Sequence, residues 1–128
     1  MKGILLDTIN QEIKEVDCAN DIHEWYKLLN TDIVEMPERQ IGGKYYTIIC
    51  DEEGLLKPEP IISAMNSGID TMFVGNLLIF NIDRENCDVT DLSKEDIENI
   101  KSFTKVHTFV NTKTGEEKKF LIIRPVEY

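Results

Sequence analysis

Two runs of carboxylates are the side chains in this sequence best suited to chemistry at a surface. Asp51, Glu52 and Glu53 are consecutive and close against Gly54, and Asp83, Glu85, Asp88 and Asp91 follow a strongly apolar stretch. Carboxylate oxygens are ligands for hard cations, but a calcium loop spreads them over about a dozen residues around a glycine. The first run does not continue that way and reads as a solvated hairpin tip. The second leads into a helix, whose positive N-terminal end such acids complement. Either run could meet a cation or a basic protein surface. His23-Glu24 begins like a zinc-binding helix, yet Lys27 stands where the second histidine belongs. Cys18, Cys50 and Cys87 are far apart with no C-x-x-C pairing, and only His23 and His107 could serve one of them as a base. Gly42-Gly43 has no further glycine at phosphate-loop spacing. No catalytic residues, metal ligands or cofactor are therefore expected.

A chain of 128 residues, 41% hydrophobic and 30% charged, has the make-up of one ordinary globular domain. No apolar run approaches the ~20 residues of a membrane span. Met1–Leu6 is too short for a signal-peptide core, and Asp7 follows at once, so a cytoplasmic protein is expected. The net charge is −10 and is uneven: residues 1–98 hold 21 acids against 8 bases, residues 99–128 only 3 against 6. Such an acidic body repels nucleic-acid phosphates and attracts basic partners. Tyr45 and Tyr46 beside Lys44, and Phe109 and Phe120 among the C-terminal lysines, are the only stacking candidates. Direct nucleic-acid binding is not expected.

Lys2–Leu6 and Glu12–Val16 read as strands around a turn at Asp7–Gln11. A helix follows from about Asp21 to Asn30, capped by Asn20 or Asp21, with Ile22, Trp25, Tyr26, Leu28 and Leu29 on one face. Asp32–Glu38 and Lys44–Asp51 form a hairpin around Gly42-Gly43, with Pro37 marking an edge or bulged strand. Leu55–Pro60 reads as an extended connection and Ile61–Asn66 as a short helix stopped by Ser67-Gly68. Thr71–Ile82 reads as one buried strand with a bulge or a close backbone approach at Gly75, followed by a turn-rich Asp83–Thr90. Ser93 to Asp96 matches a capping box with Leu92 and Ile97 as its staple. Lys105–Val110 and Lys118–Pro125 close the chain as a hairpin whose lysines protect an edge strand. The fold class is α+β: an antiparallel sheet packed by two or three short helices, with a C-terminal β-hairpin.

This order of pieces carries a resemblance. A first hairpin and a helix with a Trp25/Leu28/Leu29 face precede Tyr46-Thr47-Ile48-Ile49-Cys50-Asp51-Glu52-Glu53-Gly54. A proline-containing stretch, Val74-Gly75-Asn76-Leu77-Leu78-Ile79 and a helix entry at Asp88–Ile97 follow. Over about residues 2–104 the chain resembles a family of small uncharacterised proteins, a domain of unknown function spread through phages, plasmids and Gram-positive bacteria. The resemblance implies a mobile-element setting and no activity. Together these readings point to a non-catalytic acidic module binding a basic host or phage protein, such as a defence or other nucleic-acid-handling protein, through Asp51, Glu52, Glu53, Asp83, Glu85, Asp88 and Asp91. The alternative is a small-ligand or nucleotide-like signal binder, or a cryptic enzyme, with a pocket roofed by Leu55–Gly68 and lined by Tyr46, Asn76 and His107. A structural or assembly subunit is the third reading, which an exposed apolar edge on the C-terminal hairpin would favour.

Overall fold

The computed structural model describes residues 1–128. Twelve strands and two helices follow one another along the chain. They are β1 Lys2–Asp7, β2 Glu12–Asp17, α1 Ile22–Leu29, β3 Val34–Glu35, β4 Glu38–Ile41, β5 Lys44–Asp51, β6 Ile62–Met65, β7 Thr71–Val74, β8 Leu77–Asp83, β9 Asp88–Thr90, α2 Lys94–Ser102, β10 Thr104–Val110, β11 Glu117–Ile123 and β12 Val126–Glu127. The larger sheet runs β12-β4-β5-β8-β1-β2, with β3 added to β5 and β9 to β8. The smaller runs β10-β11-β6-β7, antiparallel except where β11 meets β6. The fold is mixed α and β with mostly antiparallel sheet.

The apolar runs of β1, β5 and β8 are nearly continuous because both faces of the larger sheet are covered. Successive side chains on a strand point to opposite faces. Ile4, Leu6, Tyr46, Ile48, Cys50, Leu77 and Ile79 therefore enter one core, shared with Leu92 and Ile100 beside α2 and with Ala64, Phe73 and Ile123 of the smaller sheet. Leu5, Ile49, Leu78 and Phe80 enter the other, beneath Trp25 and Leu29 of α1. Those two helical residues stand four apart, one turn above the other. Asp21 caps α1 by accepting the His23 N–H at 3.0 Å, and Asn30 ends it in the left-handed conformation. The β1–β2 turn is held by Asp7, which accepts the N–H groups of Ile9 and Asn10.

Several expectations change. Asp32–Glu38 is not the strand before Gly42-Gly43: Val34–Glu35 is β3, and the hairpin is made by β4 and β5. Ile61–Asn66 is not a helix: Ile62–Met65 is β6, with Ser63 and Ala64 fully buried between β7 and β11. The two helices are thus the only ones besides a 3-10 turn at Gly54–Leu56, which replaces the start of the extended connection. Thr71–Ile82 is not one strand. Gly75, at a φ of +77°, turns the chain out of the smaller sheet and into the larger, so that β7 and β8 belong to different sheets. The lysines of the C-terminal hairpin also sit elsewhere than expected. Lys118 and Lys119 lie on the inner strand β11, while β10 is the sheet edge and has Lys105 alone. Only the outer half of that hairpin is an appendage, because Ile122, Ile123 and Val126 are fully buried.

Candidate functional site

The first carboxylate run is built around Asp51, whose side chain is turned inward. It pairs with Lys57 Nζ at 2.6 Å and accepts the Glu53 N–H at 2.9 Å. Burial pushes its pKa up, but Lys57 and the Glu53 amide outweigh that and hold the carboxyl below its ordinary value. Lys57 Nζ also donates to the Asn30 carbonyl, tying the turn to the end of α1. Within the turn the Leu56 N–H donates to the Glu53 carbonyl at 2.9 Å. Gly54 is buried against Val74, so the turn has one closed side. What it presents outward is Glu52 and Glu53, free of ion pairs, and Leu55 and Leu56, which are 74% and 81% exposed. Sequence reasoning set these two leucines in the roof of a ligand pocket and not among the partner-binding residues. The signal for the second role was a Leu-Leu pair one glycine after three acids.

The second run is mostly committed to local structure. Asp83 accepts the N–H and the side-chain amide of Asn86, at 3.2 and 2.8 Å. Asp88 accepts from Asn20 and from its own neighbour Val89. Asp91 accepts the Lys2 N–H at 2.7 Å, pinning the approach to α2 onto the start of β1. Glu85 alone points freely to solvent. The register Ile49↔Leu78 and Thr47↔Phe80 puts Asp51 level with Asn76 and Asp83 level with Lys44. Asp51 and Asp83 are therefore about 23 Å apart along the strands. Asp88 lies beside Asp83, and Asp91 returns along β9 only to the level of Phe80, so the two runs do not share one patch.

Tyr46, Asn76 and His107 occupy three separate places. Tyr46 is fully buried, its hydroxyl 3.1 Å from Asp96 Oδ1 and accepting the Asn99 amide at 3.0 Å. Asn76 is a latch: its oxygen accepts the Thr8 N–H and hydroxyl, both at 2.9 Å, and its amide donates to the Leu28 carbonyl. His107 lies on β10, opposite Phe120. A cleft of about 190 Å³ does lie under Lys57–Ile61, and Asn76 lines it, with Thr8 and Leu29 and without Tyr46 or His107. Cys18 and Cys50 are buried and Cys87 is exposed, so the three thiols do not form a cluster. Burial, then the neighbouring Glu35 carboxylate, pushes the Cys50 thiol far up. No three His, Cys, Asp or Glu side chains stand together at metal-binding spacing.

The densest polar arrangement is the one around Asp96, itself 4% exposed. Asp96 meets Lys44 Nζ at 2.6 Å, the Tyr46 hydroxyl and the Asn81 amide at 3.1 Å, and the Ser93 N–H and hydroxyl at 2.9 Å. The capping box was legible in sequence; that its acid turns inward to serve β5 and β8 was not. Burial pushes Tyr46 up to about 12, with Asn99 pulling part of the way back and the Asp96 charge adding to the rise. The neutral phenol is thus the folded form. Its contribution to stability is complete below the unfolded value of about 10 and is lost as pH rises through about 12. An alkaline absorbance titration of the folded protein is expected to show a step near pH 12 that Tyr46→Phe removes. A titration unchanged by that substitution would contradict this account.

No helix is long and apolar enough to cross a membrane. Comparison with known proteins adds one result. No curated protein and no solved structure matches the chain. A family model does match residues 1–107, which take in both acidic runs, both helices and all of the larger sheet except β12, and the chain belongs to that family, described as a domain of unknown function (DUF3846).

Proposed function

We propose that the chain is a non-catalytic protein-binding module that presents an acidic turn to a basic partner, in the setting of a phage or other mobile element. A host defence protein or another nucleic-acid-handling protein fits this role, since its phosphate-binding groove is a ready target for carboxylates. The observation that carries the reading is the turn after β5. Two unpaired carboxylates, Glu52 and Glu53, flank two leucines left almost wholly in solvent on a turn tied down by Asp51 and Lys57. Exposed apolar groups that the fold holds in place and rims with charge mark interaction surfaces. Asp51 acts here as the organiser of the turn and not as a contact. Within the second carboxylate run, Glu85 is the one acid left free for such a role.

A tagged chain incubated with lysate of its source organism, at low and raised salt, tests the proposal. A stoichiometric basic protein should be retained and should release as salt rises. Glu52→Lys with Glu53→Lys, and separately Leu55→Ala with Leu56→Ala, should each weaken its retention at least about tenfold, the loss of roughly 1.4 kcal/mol. Retention indifferent to salt and to both double substitutions would overturn it.

A further inference from the structure

The larger and smaller sheets end in strands of very different character. β2 carries Glu12, Lys14, Glu15 and Asp17 in six residues, β7 is four residues long, and β12 two. Charge and shortness are the usual protections of a sheet edge. β10 has neither. Its seven residues, Thr104-Lys105-Val106-His107-Thr108-Phe109-Val110, hold one charge and four β-branched side chains. Val106 is 62% exposed and Val110 54%.

The free backbone groups of this edge can be named. The Arg124 N–H donates to the Phe103 carbonyl and the Asn111 N–H to the Glu116 carbonyl, which fixes the phase of the β10–β11 ladder. Lys105, His107 and Phe109 thus exchange hydrogen bonds with Ile122, Phe120 and Lys118. The N–H and C=O groups of Val106, Thr108 and Val110 point the other way, and β10 has no second neighbour.

We propose that this edge pairs antiparallel with the same edge of a second copy of the chain, the two-fold axis passing through Thr108. The sequence is self-complementary about that point. Thr108 faces the second copy's Thr108, Val106 faces Val110, His107 faces Phe109 and Lys105 faces Asn111. No like charges meet, and threonine–threonine and apolar cross-strand pairs are favourable. Residues 99–128 have twice as many bases as acids, so two copies of this face repel one another only as far as their lysines come close. The two Lys119 side chains would stand three strand spacings apart, about 14 Å, beyond the ~8 Å screening length of physiological salt. One added strand on each side makes a small interface, so the dimer belongs to the weak, exchanging class. The pairing is independent of the acidic turn after β5.

Sedimentation velocity of the intact chain from about 1 to 500 µM tests this. The expected result is a monomer that becomes a dimer over that range, with amide exchange at Val106, Thr108 and Val110 slowing as concentration rises. Thr108→Lys, which sets two ammonium groups across the axis, and Val106→Lys should each move the midpoint at least tenfold higher while leaving circular dichroism unchanged. Glu52→Lys with Glu53→Lys should leave dimerisation in place. A wild-type monomer throughout, a dimer unaffected by both lysine substitutions, or protection of these amides by a different protein in place of a second copy would each overturn the proposal.

Discussion

Phe80→Ala should cost about 3–5 kcal/mol of folding stability, the range for emptying a fully buried aromatic site. Phe80 is 0% exposed at the centre of the α1-side core, its ring centroid 6.0 Å from that of Trp25. The strand beside it is shaped for it. A Cβ on Gly3 would fall 2.4 Å from the Phe80 ring and 2.8 Å from the Ile79 carbonyl oxygen, so glycine there is what lets the ring lie across β1. Because backbone and a buried ring bound the space, the cavity left by alanine cannot collapse cheaply. Phe80→Leu, which keeps most of the volume, should cost less than half as much. Urea melts followed by the emission of Trp25, the sole tryptophan, read both values. A loss under about 1 kcal/mol for Phe80→Ala would show that α1 does not depend on this contact.

Asp96→Ala is expected to cost about 3 kcal/mol. It removes the acid of the capping box, worth roughly 1 kcal/mol, and leaves the buried Tyr46 hydroxyl without its acceptor, worth roughly 1–3 more. Lys44 is half exposed and contributes little of this by charge alone. Asp96→Asn keeps a capping oxygen and should cost less. The pH dependence has a definite sign. Burial pushes Asp96 up, but Lys44, the Ser93 N–H and hydroxyl and the Tyr46 hydroxyl together hold it below its ordinary value. Its ionised form therefore adds stability above about pH 4, and that addition fades as pH falls below the unfolded value toward the folded one. The gap between wild type and Asp96→Asn should narrow between pH 7 and pH 3. A constant gap would mean that the charge is not what the surrounding groups recognise.

Local signals in the sequence translated into local structure. Asp21 and Ser93 cap the helices expected of them, Gly42-Gly43 turns between β4 and β5, and the first two strands stand within a residue of their expected bounds although the second breaks strict alternation. The misreadings share a cause of the opposite kind. Ile61–Asn66 has no local pattern that distinguishes strand from helix, and pairing with β7 on one side and the sequence-distant β11 on the other decides the matter. Met72–Phe80 is apolar save at Gly75-Asn76 because both of its halves pack inward, and periodicity cannot show that they do so in different sheets. Composition likewise counted the acids but could not sort them. Asp51, Asp83, Asp88 and Asp91 spend their oxygens on neighbouring amides and ammonium groups, whereas Glu52, Glu53 and Glu85 do not. The shorter acids reach their own backbone, and the longer ones reach past it.

The family match and the fold divide the chain at different places. The match stops at residue 107, inside β10, while β11 lies between β10 and β6 in the smaller sheet and sends Ile122 and Ile123 into the core. A gene shortened to the matched span would not encode a smaller edition of this protein. It would encode one with a missing wall, with β6 bare along one side and the main core open to water beside Ala64. Removing residues 108–128 therefore unpacks β6 and opens the main core in the same step, so this end of the chain is a wall of the fold and not an attachment to it.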